Sequence, residues 1–373
     1  MTPMRLRPAL LLTLLLVLLA TTLPGQAAPS RTAGSKAASL AALSDVRGID
    51  YSNVHRPTSL LAADVERLRS IGVNHINFYV YLFLDDRTSS SVHRGPTTPT
   101  DVELGALIDL AHRSGMTVTV SPLPWWDGGD GSLSGNWRGL FQPEDPDAFF
   151  DSWRFHINHY AALSERHDVE MFSIGSEQNS LQHQDQQWRR TAAGAREHFS
   201  GPLTYMATAG DALEAVPFWD ALDVVSVAAY FSVSQAAMPT YREVRTTWEQ
   251  VVIPRMRHIA ANTGKKVLIA ETGFVNGLYF GKLPYEPSPS PIPAPLAQAN
   301  AYAAVLDVLA ATPGRTDFLL GIGWWDWDPY STSPAQATFS PRGKPAECVL
   351  AQKWGSGAVR TVAGLLPCGT GRT

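Results

Sequence analysis

Apolar residues recur along this chain in two alternating modes. Short apolar or alternating runs predict strands over Arg47–Tyr51, His75–Phe83, Thr117–Pro122, Val169–Glu177, Leu203–Ala207, Val224–Tyr230, Val267–Glu271 and Phe318–Trp325. Between most of them, apolar residues return at helical spacing, over Leu60–Ile71, Val102–Ser114, Ala148–Arg166, Asp185–Phe199, Tyr241–Thr263 and Leu296–Ala311. Only a short connection, Asp211 to Leu222, joins the fifth strand to the sixth. Gly72, Gly115 and Gly264 fall just past helix ends, where a left-handed residue closes the last turn. Alternating strands and helices imply a parallel sheet. Eight repeats imply an α/β fold with a single (β/α)8 TIM barrel. The competing open sheet would usually place a glycine-rich phosphate loop after its first strand, and Asp50-Tyr-Ser-Asn53 is not one.

Outside the periodic region the pattern changes. Arg5 and Arg7 precede an apolar run from Ala9 to Ala20, and small residues at Gly25 and Ala27 suit a cleavage site. Residues 1–27 therefore read as a secretory signal peptide, 28–44 as a flexible Ala/Ser-rich leader, 45–354 as the barrel and 355–373 as a C-terminal tail. An uncleaved anchor is the alternative, but Pro24 and Gly25 follow the apolar run and no stop-transfer pattern appears. No later stretch is apolar and long enough to span a bilayer. The expectation is a secreted, extracellular monomer without stable membrane insertion. Cys348 and Cys368 are the only cysteines; in an oxidising compartment they either pair and clamp the tail or stay separate thiols. The formal charge of −4 becomes about −6 once the two signal arginines are removed, and a mildly acidic chain without basic clusters argues against nucleic acid.

Two predicted strands end in a glutamate: Glu177 in Met171-Phe-Ser-Ile-Gly-Ser-Glu-Gln-Asn179, and Glu271 in Lys266-Val-Leu-Ile-Ala-Glu-Thr-Gly-Phe274. A barrel opens its site at the carboxyl ends of its strands. Two carboxylates meeting there are what retaining glycoside hydrolysis needs. Taken singly, each glutamate could equally cap a strand or pair with an arginine. Three loops are predicted on the same face. Trp125-Trp-Asp-Gly-Gly-Asp-Gly-Ser132 follows the third strand, Asn276 to Pro295 the seventh, and Trp325-Asp-Trp-Asp-Pro329 the eighth.

The segments Ile174-Gly-Ser-Glu177, Ile269-Ala-Glu-Thr-Gly273 and Gly321-Ile-Gly-Trp-Trp-Asp-Trp327 resemble glycoside hydrolase family 113. So do Gly201-Pro-Leu-Thr-Tyr205, Pro217-Phe-Trp-Asp-Ala-Leu-Asp223, Ala228-Ala-Tyr-Phe231 and Phe339-Ser-Pro-Arg-Gly-Lys-Pro-Ala346. The resemblance spans roughly Val46 to Trp354. It implies a TIM barrel of the retaining clan, with Glu177 as acid/base, Glu271 as nucleophile and Tyr230 as a hydrogen-bond partner of the nucleophile; a core aromatic is the plain alternative for Tyr230. Glu177 would carry a proton and Glu271 would stay ionised. Many members of the wider clan place Asn before the acid/base, where it contacts the sugar 2-hydroxyl. Here Ser176 stands at that position, so the preferred sugar is left open.

Asn179 lies two residues beyond Glu177, as a polar contact or a turn residue. Trp125 and Trp126 are candidates for a sugar platform, with at least one expected to pack. Strand alternation puts Trp325 and Trp327 on the axial side, with Trp325 the favoured platform. His156 and His159 face outward on a helix and no metal motif is present, so neither metal nor cofactor is expected. The leading expectation is a secreted retaining glycosidase acting on a β-linked polysaccharide or oligosaccharide such as β-mannan. The alternatives are a hydrolase of a self-made envelope or exopolysaccharide, and a non-catalytic carbohydrate-binding barrel.

Overall fold

A computed structural model describes residues 33–56, 58–126, 137–286, 290–331 and 333–355. The predicted signal peptide, Asp127 to Ser132 of the third loop, Cys368 and the tail beyond Gly355 lie outside the described residues. Among the described residues no helix is long and apolar enough to cross a membrane.

Eight parallel strands close on themselves in sequence order: β1 Val46–Tyr51, β2 His75–Leu84, β3 Thr117–Trp126, β4 Met171–Ser176, β5 Leu203–Thr208, β6 Val224–Ala228, β7 Val267–Glu271 and β8 Leu319–Trp324. The pairing of Val46 with Gly321 joins β1 to β8 and rules out the open sheet. Gly321 makes that seam possible. Its φ is 154°, and a Cβ there would stand 2.1 Å from the Val46 carbonyl oxygen. Gly72, Gly115 and Gly264 adopt φ of 86°, 76° and 66°, as their places past helix ends require.

Helices Thr58–Ser70, Asp101–Arg113, Pro146–Arg166, Asp185–His198 and Pro295–Ala311 cover the outside. The predicted helix Tyr241–Thr263 is a composite: Tyr241–Thr247 and Ile253–Thr263 are joined by a π turn over Trp248–Val252.

The barrel interior is layered, because every second strand residue points inward. At the amino-terminal end Val46, Met171, Val224, Leu268 and Leu320 form an apolar plug with Leu43. Tyr79, Leu123, Met206 and Ala228 form an upper layer beneath the cleft. The layer between is polar. Ser121 donates to Asn77 (2.8 Å), which donates to Asp50 (2.9 Å); Thr204 donates to Ser226 (2.8 Å). Burial holds His75 near pKa 4, so it sits neutral between Thr117 and Thr119. This layer encloses a cavity of about 20 Å³, room for one water.

Two ends of the chain depart from the expected picture. Part of the leader forms a helix, Ala33–Ala42, rather than a flexible run. Alanine is a strong helix former, Leu40 packs on the apolar plug, and Lys36 pairs with Asp223. At the other end, helix Pro345–Trp354 is tied back to the barrel. Arg342 binds Asp64 through two nitrogens at 3.0 and 3.1 Å, and Asp64 also accepts from Trp327 Nε1 at 2.9 Å. The buried Glu347 accepts from Arg67 and from the Gly343 amide. Cys348 is buried on this helix.

Candidate active site

The site is built where β4 and β7 end. Trp153 Nε1 holds the Ile174 carbonyl at 3.0 Å, and Gly175 leaves space for Trp188, which a Cβ would approach to 2.8 Å. The chain then turns sharply. Glu177 adopts a left-handed backbone with φ of 49°, pinned by its amide to the Met206 carbonyl at 2.8 Å. Glu271 ends β7, and its carbonyl accepts from the Ala229 amide at 2.7 Å. Both carboxylates are buried at the carboxyl ends of their strands, the end where a barrel opens its site.

Their partners differ. Glu271 Oε1 accepts from Tyr230 Oη at 2.7 Å and Oε2 from Tyr79 Oη at 3.0 Å. Glu177 Oε2 accepts from Arg138 Nη2 at 2.5 Å and from Trp137 Nε1 at 3.5 Å, and Oε1 from Thr208 at 3.2 Å. The same Arg138 nitrogen is 3.9 Å from Glu271 Oε2. These legs of 2.5 and 3.9 Å cap the distance between the two Oε2 atoms at about 6.4 Å.

Burial, and next the charge of Glu177, push the Glu271 carboxyl up to about 7, against the pull of Arg138, Tyr230 and Tyr79. The resemblance implies that Glu271 stays ionised. In the structure burial and the nearby Glu177 charge raise Glu271 instead. Burial opposes the Arg138 charge, but Glu177 and Glu271 outweigh it and push its pKa up. Burial and then Glu271 raise Asp50 well above the carboxylate range, and its Oδ2 has no protein partner. Burial and then Asp328 lift Asp326 to about 7, although Ser52 donates to it at 3.1 Å. Burial keeps Tyr79 and Tyr230 protonated and therefore donors.

The sequence profile of glycoside hydrolase family 113 matches residues 56–341, a span that holds both glutamates. The chain belongs to glycoside hydrolase family 113. No protein of curated function matches its sequence significantly. Among solved structures, a family 113 β-1,4-mannanase is similar with a TM-score of 0.71 and 22% identity, over 83% of this chain and 99% of that one. The family 113 β-mannanase AaManA from Alicyclobacillus acidocaldarius, solved with ManMIm, gives 0.70 and 23%, over 83% and 97%. A family 5 mannosidase from Rhizomucor miehei gives 0.58 and 12%, over 83% and 92%. At these identities the likenesses show a shared barrel fold, and family membership makes the chain a glycoside hydrolase.

The other residues singled out from the sequence of this family 113 enzyme divide into two groups. Trp325 is half-buried at the cleft floor and meets Tyr79 edge to face at 5.3 Å. Trp125 is half-buried against Tyr81 at 5.8 Å. Asn179 reaches the site indirectly, through Thr208 at 3.1 Å. The rest lie below the surface. Trp126 packs on Phe141 at 4.8 Å. Trp327 is fully buried and its indole donates to Asp64, because β8 ends at Trp324 and strand alternation no longer sets where the ring lies. Ser176 is fully buried and its hydroxyl has no partner, so it does not reach a sugar in this arrangement. On the outer helix His156 bonds the Val92 carbonyl and His159 bonds Asp101. Among the described residues no group of acids, histidines and cysteines has the form of a metal site.

Sequence reasoning missed Tyr79, Thr208 and Arg138. Tyr79 was readable: it shares the inward register of His75 and Asn77 on β2. Thr208, at the end of β5, had the same signal. Arg138 had none, since it sits on an irregular turn after β3.

Proposed function

We propose that this chain is a secreted retaining β-mannanase working by double displacement. In this reading Glu271 attacks the anomeric carbon while Glu177 protonates the leaving oxygen; Glu177 then draws a proton from the water that releases the sugar. The observation that carries it is the closeness of the two carboxylates. One oxygen of each carboxylate lies within about 6.4 Å of the other, a closeness compatible with the roughly 5–5.5 Å of retaining enzymes. The two phenol donors on Glu271 suit a nucleophile that must leave again as a carboxylate. Trp325 offers an aromatic face for the sugar bound over it. Mannan is favoured because similar solved proteins are described as β-mannanases. Secretion rests on the pattern around Arg5, Arg7 and Ala9 to Ala20.

The test is reducing-sugar release from a panel of β-mannan, β-glucan, xylan and hexosamine polymers, with the anomer of the first product read by NMR. Mannan cleavage with retention is expected. Inverted product overturns the mechanism, and preference for another polymer overturns the substrate. Binding without cleavage would make the chain a carbohydrate-binding barrel. Recovery of a chain starting near Ala28 from culture medium checks secretion.

A further inference from the structure

Arg138 stands where the reaction must happen. Attack on an anomeric carbon needs that carbon about 3–3.5 Å from the nucleophile. Proton donation needs the glycosidic oxygen about 2.6–3.2 Å from the acid. The Arg138 nitrogen, 2.5 Å from Glu177 and 3.9 Å from Glu271, fills that space. It is no casual surface contact, because only 11% of the side chain is exposed. It is also incompletely held: among the described residues Nε has no partner, and the short turn Arg138–Leu140 lacks a side-chain cap.

We propose that Arg138 is a positioning residue that occupies the reaction site until a neutral sugar displaces it, and that its departure lets Glu177 take up the proton it later donates. The proposal rests on the glycosidase reading above. Once the guanidinium leaves, two close carboxylates face each other with no cation between them, and one must accept a proton from solvent. Two phenols donate to Glu271 at 2.7 and 3.0 Å and favour its charged form against the rise that burial imposes. Glu177 is left with longer bonds, 3.2 Å from Thr208 and 3.5 Å from Trp137. The carboxylate gains a solvent proton and no other bond changes. Among the described residues the other titratable groups around the pair are Asp50, Tyr79, Tyr81, Tyr205, Tyr230 and Asp326. These are acids and phenols, and none can stand in for the guanidinium. Sugar binding and arming of the acid thereby become one event.

The test uses Arg138→Met and Arg138→Lys with a soluble β-mannan oligosaccharide. In the methionine variant KM should fall about tenfold, because the competent site no longer has to be vacated. The alkaline limb of kcat/KM, which reports the free enzyme, should move up by about one pH unit. The alkaline limb of kcat, which reports the complex, should stay in place. The lysine variant should lie between. A raised KM with both limbs unmoved would make Arg138 a substrate ligand and overturn the proposal, as would no change at all. If wild-type enzyme cleaves no glycan, the functional reading fails separately. The proposal is then decided by 13C NMR, in which Arg138→Met should move the site's carboxyl titration to higher pH, and an unmoved titration refutes it. Should the methionine variant not fold, the same measurements on the lysine variant decide.

Discussion

Tyr230 Oη lies 2.7 Å from Glu271 Oε1, and the backbone amide just before Tyr230, that of Ala229, donates to the Glu271 carbonyl at the same distance. Phenol and carboxylate are therefore fixed to one another twice, through side chains and through main chain. A donor held in place spends nothing on reorganisation when charge on the carboxylate changes. Hydrogen bonds to a charged group are worth about 1.5–3 kcal/mol.

Tyr230→Phe should thus slow turnover by roughly 10- to 100-fold. Because the bond favours the charged form, its loss should also move the acid limb of kcat/KM to higher pH. Tyr79→Phe should act in the same direction and loosen Trp325 as well. Steady-state pH profiles check this, and an unmoved acid limb would reduce Tyr230 to a packing residue.

The two glutamates should separate by chemical rescue. With azide, Glu271→Gly should yield a glycosyl azide of inverted configuration, because azide replaces the nucleophile. Glu177→Ala should yield the retained azide, because azide then replaces water in the second step. Product anomers read by NMR decide. The same anomer from both variants would contradict the assignment of roles.

Stability should fall as the solution is made alkaline. Glu271 and Asp326 are raised from 4.5 and 3.8 to about 7. Between about pH 4 and 7 the native state therefore binds more protons than the unfolded chain. The stability these groups contribute is complete below about pH 4 and is lost as pH rises through 7. Carboxylates held low by cations, such as Asp223, oppose this only at more acid pH. The melting temperature should be several degrees higher at pH 5 than at pH 8, and Glu271→Gln or Asp326→Asn should flatten the slope. Calorimetry across that range is the check, and a parallel slope in both variants would be the contrary result.

Asp64 offers a test away from the cleft. It holds both Arg342 and Trp327 while almost fully buried. Asp64→Ala would leave a guanidinium and an indole N–H without their acceptor, at a cost of about 3 kcal/mol. Denaturant melts should show it. Because Trp327 leads back through Asp326 to Trp325, KM should rise as well; a destabilised variant with unchanged KM would show that the clasp and the cleft are independent.

Much of the barrel was legible because strand and helix periods differ, and their alternation left one closed topology. Glu177 and Glu271 were legible because each ends a buried strand. The polar middle of the barrel was harder to read. His75, Asn77, Thr119 and Ser121 alternate with apolar residues, but that pattern also describes a strand with one wet face. Trp327 misled because alternation was carried past the end of β8, where the chain no longer follows it. Arg138 and Asp64 carried no signal, since one lies on an irregular turn and the other looks like the solvent side of an amphipathic helix. Their meaning comes from partners 39 and 278 residues away in sequence.

The left-handed backbone at Glu177 sets the enzyme's durability against its activity. A residue with a Cβ is strained at a φ of 49°, whereas glycine is at ease there. The same bend aims the carboxylate at Glu271, so the position demands a side chain that its main chain resists. Glu177→Gly should consequently outlast Glu177→Ala on heating, while both lose the acid and the partner of Arg138. The side chain at position 177 is thus retained for its chemistry on a main chain that would rest more easily without it.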